Sequence, residues 1–248
     1  MSRIAIVSAM HEELRALLPL LQGVRIDERA GRRYHIGRLD GRDVVLVLSG
    51  IGKVAAATTA AVLLDGMAVS ALLLTGVAGG LADDVRVGDI VLATTLLQHD
   101  LDVSPLFPRY EVPHTGRSHF ATDAALHQAL EAGCAEALQA PPAALRALRS
   151  GKPRLHRGLV VSGDRFVNTA AESRALRDAL PQALAVEMEG AAVAQVCADF
   201  ARPFAVVRSI SDRADDAAAG DFGSFVAEVA AAYSRDIVRA ALARLPAL

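Results

Sequence analysis

The sequence predicts a single α/β domain, residues 1–248, in which a mixed central β-sheet is flanked by helices. Its apolar runs are nearly continuous, as expected for strands covered on both faces. Helical patterns lie between several of these runs, and this alternation favours a mostly parallel sheet enclosed by helices. A hairpin centred on Asp40-Gly41 adds antiparallel strands at one side, so the sheet is predicted to be mixed.

Each predicted element follows from its local pattern. Apolar runs predict strands over residues 4–7, 44–48, 71–74, 90–93, 159–161 and 204–207. Apolar residues spaced three and four apart predict helices over residues 12–21, 53–64, 123–138, 171–179, 190–200 and 224–245. The hairpin joins residues 32–36 to 42–48. Residues 100–122 are predicted to be an irregular surface or interface loop, and residues 139–153 a tolerated insertion.

The composition bounds the class of protein. Hydrophobic residues make up 52% of the 248 residues, so a sizeable core is expected, and with aromatic residues at only 4% it must be mostly aliphatic. The net charge of −2 comes with scattered basic residues, which argues against nucleic acid or an anionic membrane as the main partner.

The cysteines and the N-terminus indicate a cytoplasmic protein. Cys134 and Cys197 lie in Ala-rich helical segments and have no metal-type or redox-type partner nearby, so buried free thiols are expected. The apolar run at residues 4–7 is too short for a signal peptide or a membrane span.

Carboxylates follow two of the apolar runs. Val186 is followed by Glu187 and Glu189, and the run at residues 204–207 leads through Arg208 to Asp212. Because burying an unpaired charge is costly, such residues face solvent or line a site. Open α/β folds bind ligands at the carboxyl ends of their strands, so these two segments predict a pocket there.

Glycine-rich segments follow two other strands, and neither matches a nucleotide-binding motif. Ser49-Gly50-Ile51-Gly52-Lys53 lacks the spacing of a phosphate loop, and its glycines are expected to allow a tight turn. Thr75-Gly76-Val77-Ala78-Gly79-Gly80 lacks the dinucleotide pattern. It is either a tight turn or a backbone that approaches a sugar or an anion. His99-Asp100-Leu101-Asp102 lacks a further metal ligand at suitable spacing, so a hydrogen-bonding cluster is expected there.

Taken in order, these segments resemble one family. From Ile4 to about Val238 the chain is similar to the 5'-methylthioadenosine/S-adenosylhomocysteine nucleosidases of the nucleoside phosphorylase superfamily. The segments that carry the resemblance are Ala9-Met10-His11-Glu12-Glu13, Ser49-Gly50-Ile51-Gly52-Lys53-Val54-Ala55-Ala56, Gly76-Val77-Ala78-Gly79-Gly80-Leu81, Val87-Gly88-Asp89-Ile90-Val91, Ser162-Gly163-Asp164-Arg165-Phe166-Val167-Asn168, Val186-Glu187-Met188-Glu189 and Ile210-Ser211-Asp212.

The resemblance implies a nucleoside phosphorylase-like fold, usually a homodimer. It implies hydrolysis of the bond between adenine and a 5'-thio-substituted ribose, with no metal or organic cofactor. Adenine leaves as a neutral base if N7 is protonated, and a carboxylic acid can donate that proton when burial raises its pKa. By resemblance this acid is Asp212, held in place by Ser211.

The resemblance also assigns the ribose side of the site. Glu189 matches the residue that binds the ribose hydroxyls and offsets the positive charge of the transition state. Glu187 is a second acid on the ribose side, and Met188 would pack against the sugar. Glu13 aligns with the general base that activates water, and Arg208 would orient the water or the Glu13 carboxylate.

The remaining assignments concern the base and the 5' group. Phe166 would stack on adenine, and the backbone of Val167 would bond to the purine edge. Met10 and Phe222 match an apolar wall for the 5'-thio group. Leu106, Phe107 and Pro113 would complete this wall from the neighbouring subunit.

One departure from the family pattern concerns the water or sugar side of the site. Val77 stands where many relatives have Ser or Thr, so a hydroxyl is missing there, which favours hydrolysis over phosphorolysis. Two alternatives to the leading hypothesis stay open: a phosphorylase of the same fold, and a hydrolase of an aminodeoxyfutalosine.

Overall fold

The computed structural model describes residues 3–147 and 152–245. Within them a 10-stranded sheet is covered by helices on both faces. The strands are β1 (Arg3–Ser8), β2 (Gln22–Arg29), β3 (Arg32–Leu39), β4 (Arg42–Leu48), β5 (Val69–Gly80), β6 (Ile90–Gln98), β7 (Phe120–Ala121), β8 (Leu155–Ser162), β9 (Ala183–Glu187) and β10 (Phe204–Asp212).

The helices lie between these strands as an α/β pattern requires. They are α1 (His11–Leu14), α2 (Lys53–Gly66), α3 (Ala124–Gln139), α4 (Ala144–Ala147), α5 (Ala170–Ala179), α6 (Gly190–Asp199), α7 (Ala218–Phe225) and α8 (Ala231–Arg244). A 3₁₀ turn follows α1 at Leu18–Leu20, and a π-helical segment, Val226–Ala230, joins α7 to α8. No helix of the described chain is sufficiently long and apolar to cross a membrane.

The sheet is mixed, as predicted, and part of it closes on itself. Its order is β10-β6-β8-β9-β5-β1-β4-β3-β2; the short strand β7 pairs with β6, and β10 also pairs with β5. Strands β5, β10, β6, β8 and β9 therefore form a closed ring. Strand β1 runs parallel to both β4 and β5, and β10 runs parallel to β5. In contrast, β9 pairs antiparallel with β5 at Gly79 and Gly80.

The core lies on both faces of the sheet because alternate strand residues point to opposite sides. In β1, Ile4 and Ile6 pack among side chains of α3 and α8, while Ala5 and Val7 pack among those of α2 and α6. Both faces are buried, which accounts for the nearly continuous apolar runs in the sequence. Cys134 and Cys197 are buried free thiols within these two layers, as predicted.

The hairpin and the irregular loop are confirmed. Strands β3 and β4 pair antiparallel, and Asp40 and Gly41 both have positive φ angles, as a two-residue turn of this kind requires. Residues 100–122 contain only the isolated bridge between Val112 and Arg117 and the short strand β7. Helix α4 lies in the predicted insertion at 139–153, of which residues 148–151 lie outside the described chain.

Several predicted boundaries are wrong. The helix predicted over residues 12–21 is shorter, because α1 ends at Leu14 and a 3₁₀ turn follows at Leu18–Leu20. Pro19 lacks the N–H that an α-helix continuing to residue 21 would need. Residues 75–80 are not a tight turn, which was one of the two predictions for them. They continue strand β5, because β10 pairs with this part of the chain. Strand β2 was missed because its residues are largely exposed and it has no apolar run.

Candidate active site

A cavity of about 430 Å³ opens where the ends of β1, β5, β9 and β10 meet. Most of the predicted site residues line it, and Val167 and Arg208 are the exceptions. The lining residues are Ala9, Met10, Glu13, Ile51, Val77, Ala78, Gly79, Phe166, Val186, Glu187, Met188, Glu189, Ser211, Asp212 and Phe222. Three carboxylates far apart in sequence, Glu13, Glu189 and Asp212, thus face one space.

Glu13 is held by the backbone around it. Its Oε2 accepts the N–H groups of Ala9 and Met10, each at 2.9 Å, and its Oε1 accepts that of Val77 at 3.1 Å. The bond to Met10 is the one that a Glu in the first turn of a helix makes back to the N-cap residue. Burial raises the pKa of Glu13, against the opposing effects of Arg208 and these three N–H groups.

Arg208 lies beneath the cavity and binds two of its carboxylates. Its Nη2 donates to Glu187 Oε2 in a short ion pair and to Glu189 Oε2 at 3.3 Å. A Cβ at Gly76 would lie 2.7 Å from Glu13 Oε1 and closer still to Arg208 Nη1. Only a glycine at this position lets the guanidinium and the Glu13 carboxylate approach the strand on the same side.

Glu187 accepts several hydrogen bonds from within the protein. Besides Arg208, it accepts the N–H of Gly190 at 2.8 Å, the N–H of Glu189 at 3.1 Å and the hydroxyl of Ser162. Its bonds to backbone N–H groups lie at the start of α6, where a helix favours negative charge. Glu187 therefore holds Arg208 and the first turn of α6 rather than presenting a free oxygen.

Glu189 keeps a less constrained carboxylate. Its Oε1 accepts the Gly52 N–H at 3.0 Å, and its Oε2 faces Arg208. Burial raises the pKa of Glu189 to about 7, with Arg208 lowering it and the neighbouring Glu187 raising it. Burial thus opposes the negative charge of Glu189, while Arg208 favours it.

Asp212 is the last residue of strand β10, and it lines the cavity. Ser211 Oγ donates to its Oδ2 at 2.8 Å, and the Ala214 N–H donates to its Oδ1 at 2.8 Å. A Cβ at Gly79 would lie 2.9 Å from Asp212 Oδ1, so the glycine leaves room for the carboxyl group against β5. These contacts fix the direction in which the carboxyl faces the cavity.

Apolar side chains also line the cavity. The rings of Phe166 and Phe222 meet edge to face with centroids 5.5 Å apart, and Phe166 is 40% exposed at the cavity mouth. Met10 and Met188 line the same space. The side chain of Val167 instead packs in a small core with Leu97, so only its backbone is available to a ligand.

The loop residues predicted to act from a neighbouring subunit do not line the cavity of their own chain. Leu106 is 79% exposed, and the ring of Phe107 packs edge to face against His114. Pro113 is half-buried in the same loop.

Five further residues line the cavity although none of them was predicted as a site residue: Ala9, Ile51, Ala78, Gly79 and Val186. All are small or aliphatic, and all lie within segments that carry the family resemblance, which is the only sequence signal they have. Among the described residues, no group of three or more His, Cys, Asp or Glu side chains could hold a metal ion.

Known proteins share this architecture. Residues 3–243 match the family model described as the phosphorylase superfamily. A 5'-methylthioadenosine/S-adenosylhomocysteine nucleosidase of Shewanella denitrificans is 36% identical over 226 residues, which are 90% of this chain and 92% of the relative.

Two solved structures of nucleosidases with that name are similar to the chain. The Neisseria meningitidis protein, in complex with methylthio-immucillin-A, has a TM-score of 0.85 at 33% identity, covering 98% of this chain and 99% of its own. The Colwellia psychrerythraea protein, in complex with adenine, has a TM-score of 0.89 at 33% identity, covering 98% and 96%. The chain therefore belongs to the phosphorylase superfamily and, within it, to the 5'-methylthioadenosine/S-adenosylhomocysteine nucleosidases.

Proposed function

We propose that the protein hydrolyses the N-glycosidic bond of 5'-methylthioadenosine and S-adenosylhomocysteine, releasing adenine and the 5'-thio-substituted ribose. The observation that carries this proposal is the convergence of Glu13, Glu189 and Asp212 on one cavity. Two relatives in complex with adenine or methylthio-immucillin-A support the class of ligand. Residues 1–248 act in this proposal as one nucleosidase domain.

Asp212 is the general acid of the reaction. Carrying a proton, it donates to N7 of adenine, so that the base leaves without a negative charge. Ser211 and the Ala214 N–H hold the carboxyl group in the direction of the base. Phe166 stacks on the purine, and the backbone of Val167 bonds to its edge.

The ribose becomes positively charged as the bond to adenine breaks. Glu189 offsets this charge and accepts hydrogen bonds from the ribose hydroxyls, while Met188 packs against the sugar. Glu187 acts through Arg208, whose guanidinium it holds by a buried ion pair. Because Glu187 and Glu189 share the single positive charge of Arg208, the ribose side of the cavity keeps a net negative charge. That charge favours the positive charge that develops on the ribose.

Glu13 is the general base that takes a proton from the attacking water. Its carboxylate is fixed by three backbone N–H groups, and burial raises its pKa, which makes it a stronger base than an exposed carboxylate. Arg208 lies beside it without donating a hydrogen bond to it, so its effect on Glu13 is electrostatic. The methyl groups of Val77 face the same space and offer the water no hydrogen bond.

A phosphorylase would need a cation to bind phosphate. Among the described residues that line the cavity, none is Lys, Arg or His, and Arg208 beneath it is committed to Glu187 and Glu189. Adenine release should therefore proceed in phosphate-free buffer at the same rate as with phosphate added. An absolute requirement for phosphate would rule out hydrolysis.

The substituent at the 5' position sets the preferred substrate. Met10 and Phe222 form an apolar wall, which fits a methylthio group better than the polar side chain of an aminodeoxyfutalosine. Comparing kcat/KM for 5'-methylthioadenosine, S-adenosylhomocysteine and 6-amino-6-deoxyfutalosine tests this preference. If 6-amino-6-deoxyfutalosine gave the highest kcat/KM, the enzyme would be reassigned as a hydrolase of that nucleoside.

The active form is a homodimer in this proposal. Large apolar side chains are exposed near the cavity mouth and on the adjoining loop, at Ile51, Val54 and Leu106, which are 58%, 78% and 79% exposed. A second copy would cover them, and the loop carrying Leu106 would complete the apolar wall for the 5' group. Light scattering after size exclusion at micromolar concentration tests this, and a monomer would contradict it.

The cytoplasm is the proposed location. Cys134 and Cys197 are buried free thiols, and burial raises the pKa of each to about 12, so both stay protonated. Fractionation of cells that express the protein provides the test.

A further inference from the structure

Helix α2 begins without a cap of its own. Its N-cap residue is Gly52, which has no side chain to bond to the first turn. Two carboxylates from other strand ends accept the free N–H groups instead. Asp164 Oδ1 accepts the Lys53 N–H at 2.7 Å, and Glu189 Oε1 accepts the Gly52 N–H at 3.0 Å. Carboxylates are favoured at this end of a helix, so the start of α2 is fixed from outside.

Lys53, Asp100 and Asp164 form a closed set of contacts, here named the Lys53 triangle. The Lys53 ammonium donates to Asp100 Oδ1 at 2.6 Å, and the Asp164 N–H donates to Asp100 Oδ2 at 2.9 Å. The bond from Lys53 N–H to Asp164 completes the triangle. The three residues come from the start of α2 and from the chain just after β6 and β8, so the triangle fastens three elements together.

The triangle is more than a surface ion pair. The Lys53 side chain is only 16% exposed, and its ammonium makes a second bond to Gln98 Oε1 at 3.1 Å. Burial opposes ionisation of Asp100, but Lys53 and the Asp164 N–H still hold its pKa below the usual value. Exposed pairs contribute little, whereas a partly buried pair with several bonds fixes geometry.

The backbone at Gly52 ties the triangle to the ribose side of the site. Gly52 has a φ of +98°, and a Cβ there would lie 3.0 Å from Asp164 Oδ1. A glycine is therefore needed both for the conformation and for the approach of Asp164. Asp164 accepts the N–H of Lys53, and Glu189 accepts the N–H of Gly52, the residue directly before Lys53. The glycine-rich segment Ser49-Gly50-Ile51-Gly52-Lys53 superficially resembles a phosphate loop. Its backbone N–H groups instead donate to two carboxylates of the protein itself.

We propose that the Lys53 triangle is a positioning device that sets the Gly52 N–H to hold Glu189 toward the ribose. This inference rests on the proposed nucleosidase function and adds residues to it. Neither Lys53 nor Asp164 lines the cavity, so both act through Gly52. Their loss should weaken the handling of a nucleoside and leave the binding of free adenine, which has no ribose, unchanged.

The test compares Asp164→Ala with Asp164→Asn. The alanine variant should lower kcat/KM for 5'-methylthioadenosine by about 3- to 30-fold, the range of a lost helix cap. Its Kd for adenine, measured by calorimetry, should stay within about twofold of wild type. The asparagine variant should recover most of the activity, because its amide oxygen can still accept the Lys53 N–H. Asp65→Ala, at the exposed far end of α2, is the matched control and should change neither value.

Three results would overturn the proposal: an unchanged kcat/KM in Asp164→Ala, an equal loss of adenine affinity, or an asparagine variant as impaired as the alanine one. Lys53→Met provides a second route if Asp164→Ala does not fold, and the same separation of nucleoside from adenine is expected. If the wild-type protein itself released no adenine, the proposed function would fail. Comparing the affinity of each variant for the nucleoside and for adenine would still test the triangle.

Discussion

Replacing Glu13 with Gln tests both the proposed base and the way the fold holds it. The carboxylate accepts N–H groups from Ala9 and Met10 on one oxygen and from Val77 on the other. Glutamine has a single acceptor oxygen, so its amide NH₂ must face at least one of these donors. The better orientation keeps the oxygen toward Ala9 and Met10 and leaves the Val77 N–H without a partner.

The size of the effect follows from that geometry. One unsatisfied buried donor costs about 1–3 kcal/mol, which is less than the stability of a typical domain, so the variant should fold. Loss of the general base should lower kcat by about 10²–10⁴-fold. Activity should therefore fall far more than the population of folded protein.

The cost in stability should also depend on pH. Burial raises the pKa of Glu13 in the folded state above its ordinary value of 4.5. The protonated form is thus favoured by folding, and its contribution is fully present below pH 4.5 and lost as pH rises through the folded-state pKa. Because Gln does not ionise, the free energy of unfolding of the variant should lie furthest below wild type in acid and approach it toward neutral pH.

Adenine release in phosphate-free buffer measures kcat, and urea denaturation at several pH values measures the free energy of unfolding. Glu12→Gln is the matched control, since Glu12 is the adjacent acid and does not line the cavity. It should leave kcat unchanged. A Glu13→Gln variant that keeps more than about a tenth of wild-type turnover would refute the base assignment.

The other predictions concern the acid, the missing hydroxyl and the ionisation of the ribose side. Asp212→Asn should keep the fold and the affinity for nucleoside but lose most hydrolysis, about 10²–10⁴-fold in kcat, and near-normal turnover would contradict the acid assignment. Val77→Thr should raise kcat/KM by about 2- to 10-fold, because its hydroxyl gives the attacking water a hydrogen bond that Val77→Ala cannot restore. In the proposed mechanism Glu13 and Glu189 both act as carboxylates, so kcat/KM should rise with pH along a limb whose apparent pKa lies above 4.5 and toward 7. A profile already flat above pH 5 would argue against this.

The sequence predicted the fold class because the strands are covered on both faces. Residues 44–48 and 204–207 are apolar without interruption. Such a run predicts a buried strand even if the exact first and last residues of that strand are wrong. Strand β2 could not be found in the same way, since it lies at one end of the sheet order and its residues are largely exposed. The extent of β5 depends on its pairing with β10 across more than a hundred residues, which no local pattern encodes.

The side chains around the cavity were proposed from a resemblance, and chemistry alone would have found fewer of them. Glu187 and Asp212 stood out because they end apolar runs. Glu13 did not, because an acid in a first helical turn has an ordinary role at the helix N-terminus. The role of Gly52 was invisible in the sequence, since it depends on where Glu189 and Asp164 lie in three dimensions.

Strand β10 is the last strand of the described chain, yet it lies within the sheet, between β5 and β6. A growing polypeptide that has not yet reached residue 204 would leave both of those strands with an open edge and would lack Arg208 and Asp212. Insertion of this strand closes the ring of strands and brings Asp212, the proposed acid, to the cavity that Glu13, the proposed base, also lines. In the proposed mechanism, a chain that ends before β10 therefore has neither the closed ring nor the acid, and no hydrolysis is expected from it.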